Sequence, residues 1–250
     1  MVGTIPGRWL ASACARLRAG AGFVAAGALD LLYPLRCLVC GATDHPARVP
    51  GLCPACARAL PWRADPGGAH AALGAGRGRI AAVVIALRFA PPVDDLVYQL
   101  KYGGERAAAI PLAFALAEAV ERARSAALPV GPPELLAPVP MHWLKRWGRG
   151  LDHARELADE LGRALRVPVA HRALTRVRAT VAQGQARRAA QRLAQVESAF
   201  AVPRPTAVRG RHVALVDDVV TSGATAAACA EALARAGARA ITLFAAAGNG

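Results

Sequence analysis

The stretch VALVDDVVTSGAT, residues 213–225, constrains the fold more than any other part of the chain. Val213 to Val216 suit a buried strand, yet they deliver two adjacent carboxylates, Asp217 and Asp218. Burying two charges inside an apolar strand would be very costly. The strand is therefore expected to end at the acidic pair, where the carboxylates meet solvent, cations or hydroxyl groups. Small and hydroxylated residues come next, and a helix is expected to start near Ala224. In open parallel sheets, ligands sit at the carboxyl ends of strands, where this pair falls. Thr221, Ser222, Gly223, Ala224 and Thr225 offer successive backbone N–H groups at a helix N-terminus, an arrangement that binds anions. Gly223 lets the backbone approach such an anion closely. Carboxylates for vicinal hydroxyls beside a cradle for a phosphate match a 5-phosphorylated ribose.

Around this stretch the pattern alternates between strand-like and helix-like segments. IAAVVIALRF (80–89), ELLAPVP (134–140), VPVAHRAL (167–174), SAFAV (198–202), RHVALVDD (211–218) and AITLFAAA (240–247) are expected strands. Helices are expected over 92–104, closed by Gly103 and Gly104, over about 106–124, over 151–165 and over 224–238. Strands separated by helices imply an α/β fold with a mostly parallel sheet flanked by helices and right-handed crossovers.

Four of the six cysteines form two CxxC pairs, Cys37/Cys40 and Cys53/Cys56. Each pair makes a knuckle, and four thiolates complete the tetrahedral shell of a closed structural Zn²⁺ site. A metal held this way stabilises a segment too small for its own core and takes no part in chemistry. Cys14 and Cys229 fall on alanine-rich stretches and are expected to be buried thiols. The expected organisation is an N-terminal helical segment over 1–34, a zinc ribbon over 35–62, a Gly/Ala-rich linker over 63–78 and the α/β domain over 79–250.

The acidic pair, two valines and a glycine-containing loop, Asp217 to Thr225, resemble the phosphoribosyl pyrophosphate (PRPP) signature of the phosphoribosyltransferase family. Joined to a four-cysteine ribbon, LKYGG at 100–104 and PVPMHWLKRWGRGLDHA at 138–154, they resemble the ComF competence family, which includes the bacterial GntX-like proteins. The resemblance implies that Asp217 and Asp218 serve the ribose hydroxyls as the catalytic pair. It implies that Thr221 to Thr225 take the 5-phosphate. Lys145, Arg146 and Arg149 would then meet the pyrophosphate, which carries Mg²⁺, and part of the basic stretch after residue 160 would close over the reaction. Two departures stand out. The family reads Phe-Asn-Gln after the Arg-Gly pair, where this chain has Leu151, Asp152 and His153. Transferases acting on 6-oxopurines carry aspartate where this chain has Thr221, which disfavours that acceptor.

The resemblance implies transfer of a 5-phosphoribosyl group to a nitrogenous acceptor. Lys101 could be an exposed cation in the last turn of a helix, which suits the helix dipole, or a member of the site. The basic loop around Lys145 could equally be a solvated surface loop. A formal charge of +14 attracts polyanions. This leaves open a non-catalytic partner role in competence, bound to single-stranded DNA or to DNA-uptake proteins. Against it, no aromatic residue lies between 161 and 196 to stack on bases. No segment has the uncharged apolar length to span a bilayer, and charged residues interrupt the N-terminal apolar stretch. The expected compartment is the cytoplasm.

Overall fold

The computed structural model describes residues 36–43, 48–67, 78–126, 131–141, 152–177 and 199–249. The N-terminal segment expected over 1–34 and most of the linker lie outside them. Four parallel strands form the central sheet: β1 (Ala82–Arg88), β2 (Leu135–Pro138), β5 (His212–Val220) and β6 (Ala240–Gly248), in the order β1-β6-β5-β2. A separate antiparallel pair, β3 (Thr175–Arg176) and β4 (Phe200–Ala201), stands apart from it. The helices are α1 (Pro54–Arg58), α2 (Val93–Tyr98), α3 (Ala109–Ser125), α4 (His153–Leu165) and α5 (Ala224–Arg235). No helix among the described residues is long and apolar enough to cross a membrane.

The central strands are apolar along nearly their whole length because both faces are covered. Helices α3 and α4 and the cysteine ribbon share one core, built around Leu112, Leu116, Leu157, Leu161, Val216 and Phe244. Helix α5 and the β3–β4 pair share the other, around Ile85, Leu215, Cys229, Leu233 and Leu243. Leu112, Leu116 and Val120 recur at a helical spacing and are fully buried, which is why α3 lies against the sheet. Helix α4 crosses the β2 edge at Gly162. A Cβ there would lie 2.6 Å from Val169 Cγ2 and 2.9 Å from the Val167 carbonyl oxygen, so only glycine permits this approach.

Three expectations are corrected. VPVAHRAL is not a strand: Val169 alone bridges Leu136, between the bonds Leu136 N–H to Pro168 O (2.9 Å) and Ala170 N–H to Leu136 O (2.8 Å). A turn at His171 and Arg172, closed by Ala173 N–H to Ala170 O, then carries the chain off the sheet. SAFAV contributes a strand, but to the antiparallel pair. β5 does not end at the acidic pair; it stays in register with β6 through Val219↔Ala247 and Val220↔Gly248.

The ribbon is joined to the sheet rather than tethered beside it. Residues 61–66 run along β1, with Arg88 N–H to Pro61 O at 2.9 Å, Arg63 N–H to Ala86 O at 3.0 Å and Ile85 N–H to Pro66 O at 3.1 Å. Trp62 bridges Leu87 in the antiparallel sense.

Candidate functional site

Because side chains alternate along a strand, Asp217 and Asp218 leave β5 on opposite faces. Each carboxylate accepts the next backbone N–H: Asp218 N–H to Asp217 Oδ1 at 2.9 Å and Val219 N–H to Asp218 Oδ1 at 2.6 Å. Asp218 is buried, and its Oδ2 lies 3.1 Å from Lys101 Nζ, the cation that makes burial tolerable. Asp217 is partly exposed and, among the described residues, has no such partner at contact distance. Burial first, then the charge of Asp218, push its carboxyl well above the usual carboxylate range, against the pull of the Asp218 N–H and Lys101. Behind it sits Cys229 of α5, fully buried, its thiol pushed up by burial and then by Asp217.

Beyond Val220 the exposed Thr221 and Ser222 lead to Gly223, the N-cap of α5. Gly223 has φ 69°, a left-handed conformation that strains any residue with a Cβ. No side chain caps this helix, so its first N–H groups, with the hydroxyls of Thr221, Ser222 and exposed Thr225, remain available to an anion. The structure thus brings together Asp217, Asp218, Thr221 to Thr225 and Lys101. Lys145, Arg146 and Arg149 lie outside the described residues, as do Arg178 and the basic residues up to 195.

Lys101 reaches Asp218 because α2 does not continue as an α-helix. It widens into a π-helical turn, Gln99–Gly103, that ends at Gly104. Such turns occur often at functional sites. Exposed Tyr98 and Tyr102 flank Lys101, with ring centroids 5.0 Å apart. From the sequence, Lys101 had two alternatives, an exposed helix-end cation or a member of the site, and Gln99 had no expected role. Gln99 Nε2 donates to the Leu38 carbonyl oxygen in the first cysteine knuckle at 2.7 Å, a contact no local pattern announces.

A cleft of about 600 Å³ opens at the carboxyl end of β2, and the acidic pair is not part of its lining. Val139, Met141, Arg155, Arg172, Arg176 and Arg204 contribute to its walls, and Val139 N–H bonds to Val216 O, the carbonyl preceding Asp217. Arg176 stacks over Phe200 at 5.3 Å. Asp152 also lines the cleft, at the N-cap of α4. The departure from the family pattern at Asp152 therefore falls at the cleft wall.

In the ribbon, the four sulfurs of Cys37, Cys40, Cys53 and Cys56 lie within 4.8 Å of one another, and Cys40 and Cys53 are 3.6 Å apart. A tetrahedral Zn²⁺ with bonds of about 2.3 Å would separate its sulfurs by about 3.8 Å, so the four fit one ion. Burial would raise the Cys37 thiol, yet backbone N–H groups of Cys40, Cys53 and Val39 hold it down at about 6. Cys56 is pushed the other way, by burial and then by its three thiol neighbours. Four thiolates coexist at such a point only around a cation.

Residues 148–250 match the phosphoribosyl transferase domain family, and residues 28–72 match the double zinc ribbon domain family. Fold and site together define a phosphoribosyltransferase-superfamily protein with a four-cysteine ribbon at its N-terminal side. The chain is 33% identical over 210 residues to the DNA utilization protein YhgH of Salmonella typhi, covering 78% of this chain and 88% of that protein. It is 34% identical over 157 residues to YhgH of Escherichia coli strain K12, covering 62% and 67%. Over 94 residues it is 35% identical to competence protein F of Haemophilus influenzae, covering 37% and 41%. The chain belongs to the ComF-like family.

Proposed function

We infer that this protein binds PRPP with Mg²⁺ and transfers its 5-phosphoribosyl group to a nitrogenous acceptor. The observation that carries the reading is the juxtaposition of Asp217, Asp218 and Lys101 with the uncapped N-terminus of α5 at the carboxyl edge of a parallel sheet. Asp217 and Asp218 accept hydrogen bonds from the ribose hydroxyls, and Thr221 to Thr225 hold the 5-phosphate. Lys145, Arg146 and Arg149 are assigned to the pyrophosphate. Mg²⁺, when bound with PRPP, would supply charge neutralisation on the pyrophosphate. The protein fixes the sugar while the anomeric C–O bond breaks and its electron pair leaves on pyrophosphate. The acceptor nitrogen forms the new C–N bond and gives up its proton to solvent. Positive charge developing on the ribose ring meets the carboxylates, which stabilise it without reorganising.

In this reading Zn²⁺ is structural and stays apart from the reaction. A nucleic-acid partner draws support from the names of the relatives and from the charge of +14. No arrangement among the described residues favours it over a ribose phosphate. The deciding experiment is calorimetry of PRPP with Mg²⁺ against the wild type and an Asp217→Ala/Asp218→Ala variant. Binding lost in a variant that still folds supports the assignment; equal affinity in both overturns it.

A further inference from the structure

We propose that Gln99 is a positioning residue that couples the cysteine ribbon to the ribose-phosphate site by holding Lys101 in register. The proposal deepens the PRPP reading and rests on it for its ligand. Three contacts carry it. Gln99 Nε2 donates to Leu38 O at 2.7 Å. Gln99 O accepts Glu105 N–H at 3.2 Å, closing the far end of the turn. Lys101, inside that turn, places Nζ 3.1 Å from Asp218 Oδ2.

Leu38 sits between two cysteines of the knuckle, whose backbone is closed on itself. Cys37 N–H bonds to Ala42 O at 2.8 Å, Gly41 N–H to Cys37 O at 2.8 Å and Leu38 N–H to Gly51 O at 3.0 Å. The Leu38 carbonyl is thus presented outward from a frame that four sulfurs would lock around one metal. On the other side of the bond, a π-helical turn is an α-helix carrying one extra residue per turn's worth of hydrogen bonds. Relaxing it to α geometry changes the rotation per residue along Gln99–Gly103 and so turns Lys101 about the axis relative to Gln99. Such a turn moves Lys101 Nζ away from Asp218. Leu96, Val97 and Leu100 anchor the inner face of the segment against the core, and the outer face needs a polar anchor of its own. The hydrogen bond to Leu38 fixes where the widened turn begins.

The ribbon therefore does more than add core. Its folded, metal-filled state determines whether the buried Asp218 carboxylate keeps its cation, and so whether the pair is arranged for ribose hydroxyls.

The test uses the zinc-loaded full chain as wild type, Gln99→Met, Gln99→Glu, Lys101→Met and the Gln99→Met/Lys101→Met double variant, titrated with PRPP and Mg²⁺. Gln99→Met should keep its zinc and bind PRPP about 3- to 10-fold more weakly, the effect of one lost hydrogen bond. Gln99→Glu, which sets an acceptor against an acceptor, should bind more weakly still. In the Lys101→Met background, Gln99→Met should change affinity by less than about 2-fold, because the two act through one contact. A purely structural glutamine would give multiplying effects, and that outcome, or wild-type affinity in Gln99→Met, overturns the proposal. A ligand-free arm separates it from the PRPP reading. The Lys101→Met/Asp218→Asn cycle in thermal stability should show coupling that disappears in Gln99→Met. If the wild type binds no PRPP, the ligand reading falls; if the coupling persists in Gln99→Met, the positioning role falls.

Discussion

Two neighbouring residues of β5 should respond with opposite sign to the same substitution. Asp218 has Lys101 Nζ at 3.1 Å and is itself only 6% exposed in its side chain. Asp218→Asn removes that charge pair but keeps an oxygen for Val219 N–H. Lys101 is 24% exposed and can regain water, so the cost falls between that of an exposed ion pair and that of a stranded buried charge, about 1.5–3 kcal/mol. In a chain of this size the melting temperature should fall by about 4–10 °C. Asp217 has no cation in contact among the described residues, and its Asn variant keeps the acceptor for Asp218 N–H. Removing the unneutralised carboxylate should stabilise the ligand-free protein by about 0.5–2 kcal/mol, or about 2–6 °C.

The pH dependence of the Asp217 variant stems from the raised carboxyl. Folding takes up a proton at Asp217, so this group favours the folded state below its ordinary value of 3.8, and that contribution is lost as pH rises toward the folded value. The advantage of Asp217→Asn over wild type should accordingly be small at low pH, grow with rising pH and then level off. Scanning calorimetry of wild type and both variants across this range, read as differences, cancels loss of metal common to all three. An Asp217→Asn protein that melts below wild type at pH 7, or a difference that stays flat with pH, would refute the reasoning.

Two further outcomes test the frame around the site. Metal analysis should give one zinc per chain, absent in Cys37→Ser/Cys40→Ser, and that variant should melt well below wild type; a folded wild type without zinc contradicts the ribbon assignment. Gly162→Ala should lower stability by about 1–3 kcal/mol despite the better helix propensity of alanine, because its Cβ meets Val169 Cγ2 at 2.6 Å. A neutral result by denaturant titration would mean that α4 does not sit that close to the β2 edge.

How much of the molecule was legible in its sequence depended on the range over which each signal acts. The strand–loop–helix unit at 213–235 and the two cysteine knuckles are local, and their residue types carry the geometry with them. The continuation of β5 to Val220 was hidden because its end is set by pairing with β6, not by its own residues. Asp218 looked untenable inside a strand until Lys101, far away in sequence, came within 3.1 Å. VPVAHRAL had the composition of a strand and the right neighbour in β2, but Pro168 and the turn at His171 leave it one bridged residue. Gln99 carried no signal because its partner is a backbone carbonyl, which any residue at position 38 would supply.

The two outer strands of the sheet also bear on how this protein behaves in a crowd of its own copies. An exposed strand edge is a template for pairing with another chain. Here neither outer strand is bare: Trp62 and the residues around it cover β1, and Val169 occupies the flank of β2. The β1 cover is a direct extension of the cysteine-bound segment. Stripping the metal would thus uncover a row of backbone donors and acceptors on an otherwise apolar strand, and self-association would compete with refolding. In this respect the ribbon acts as a guard on the β1 edge.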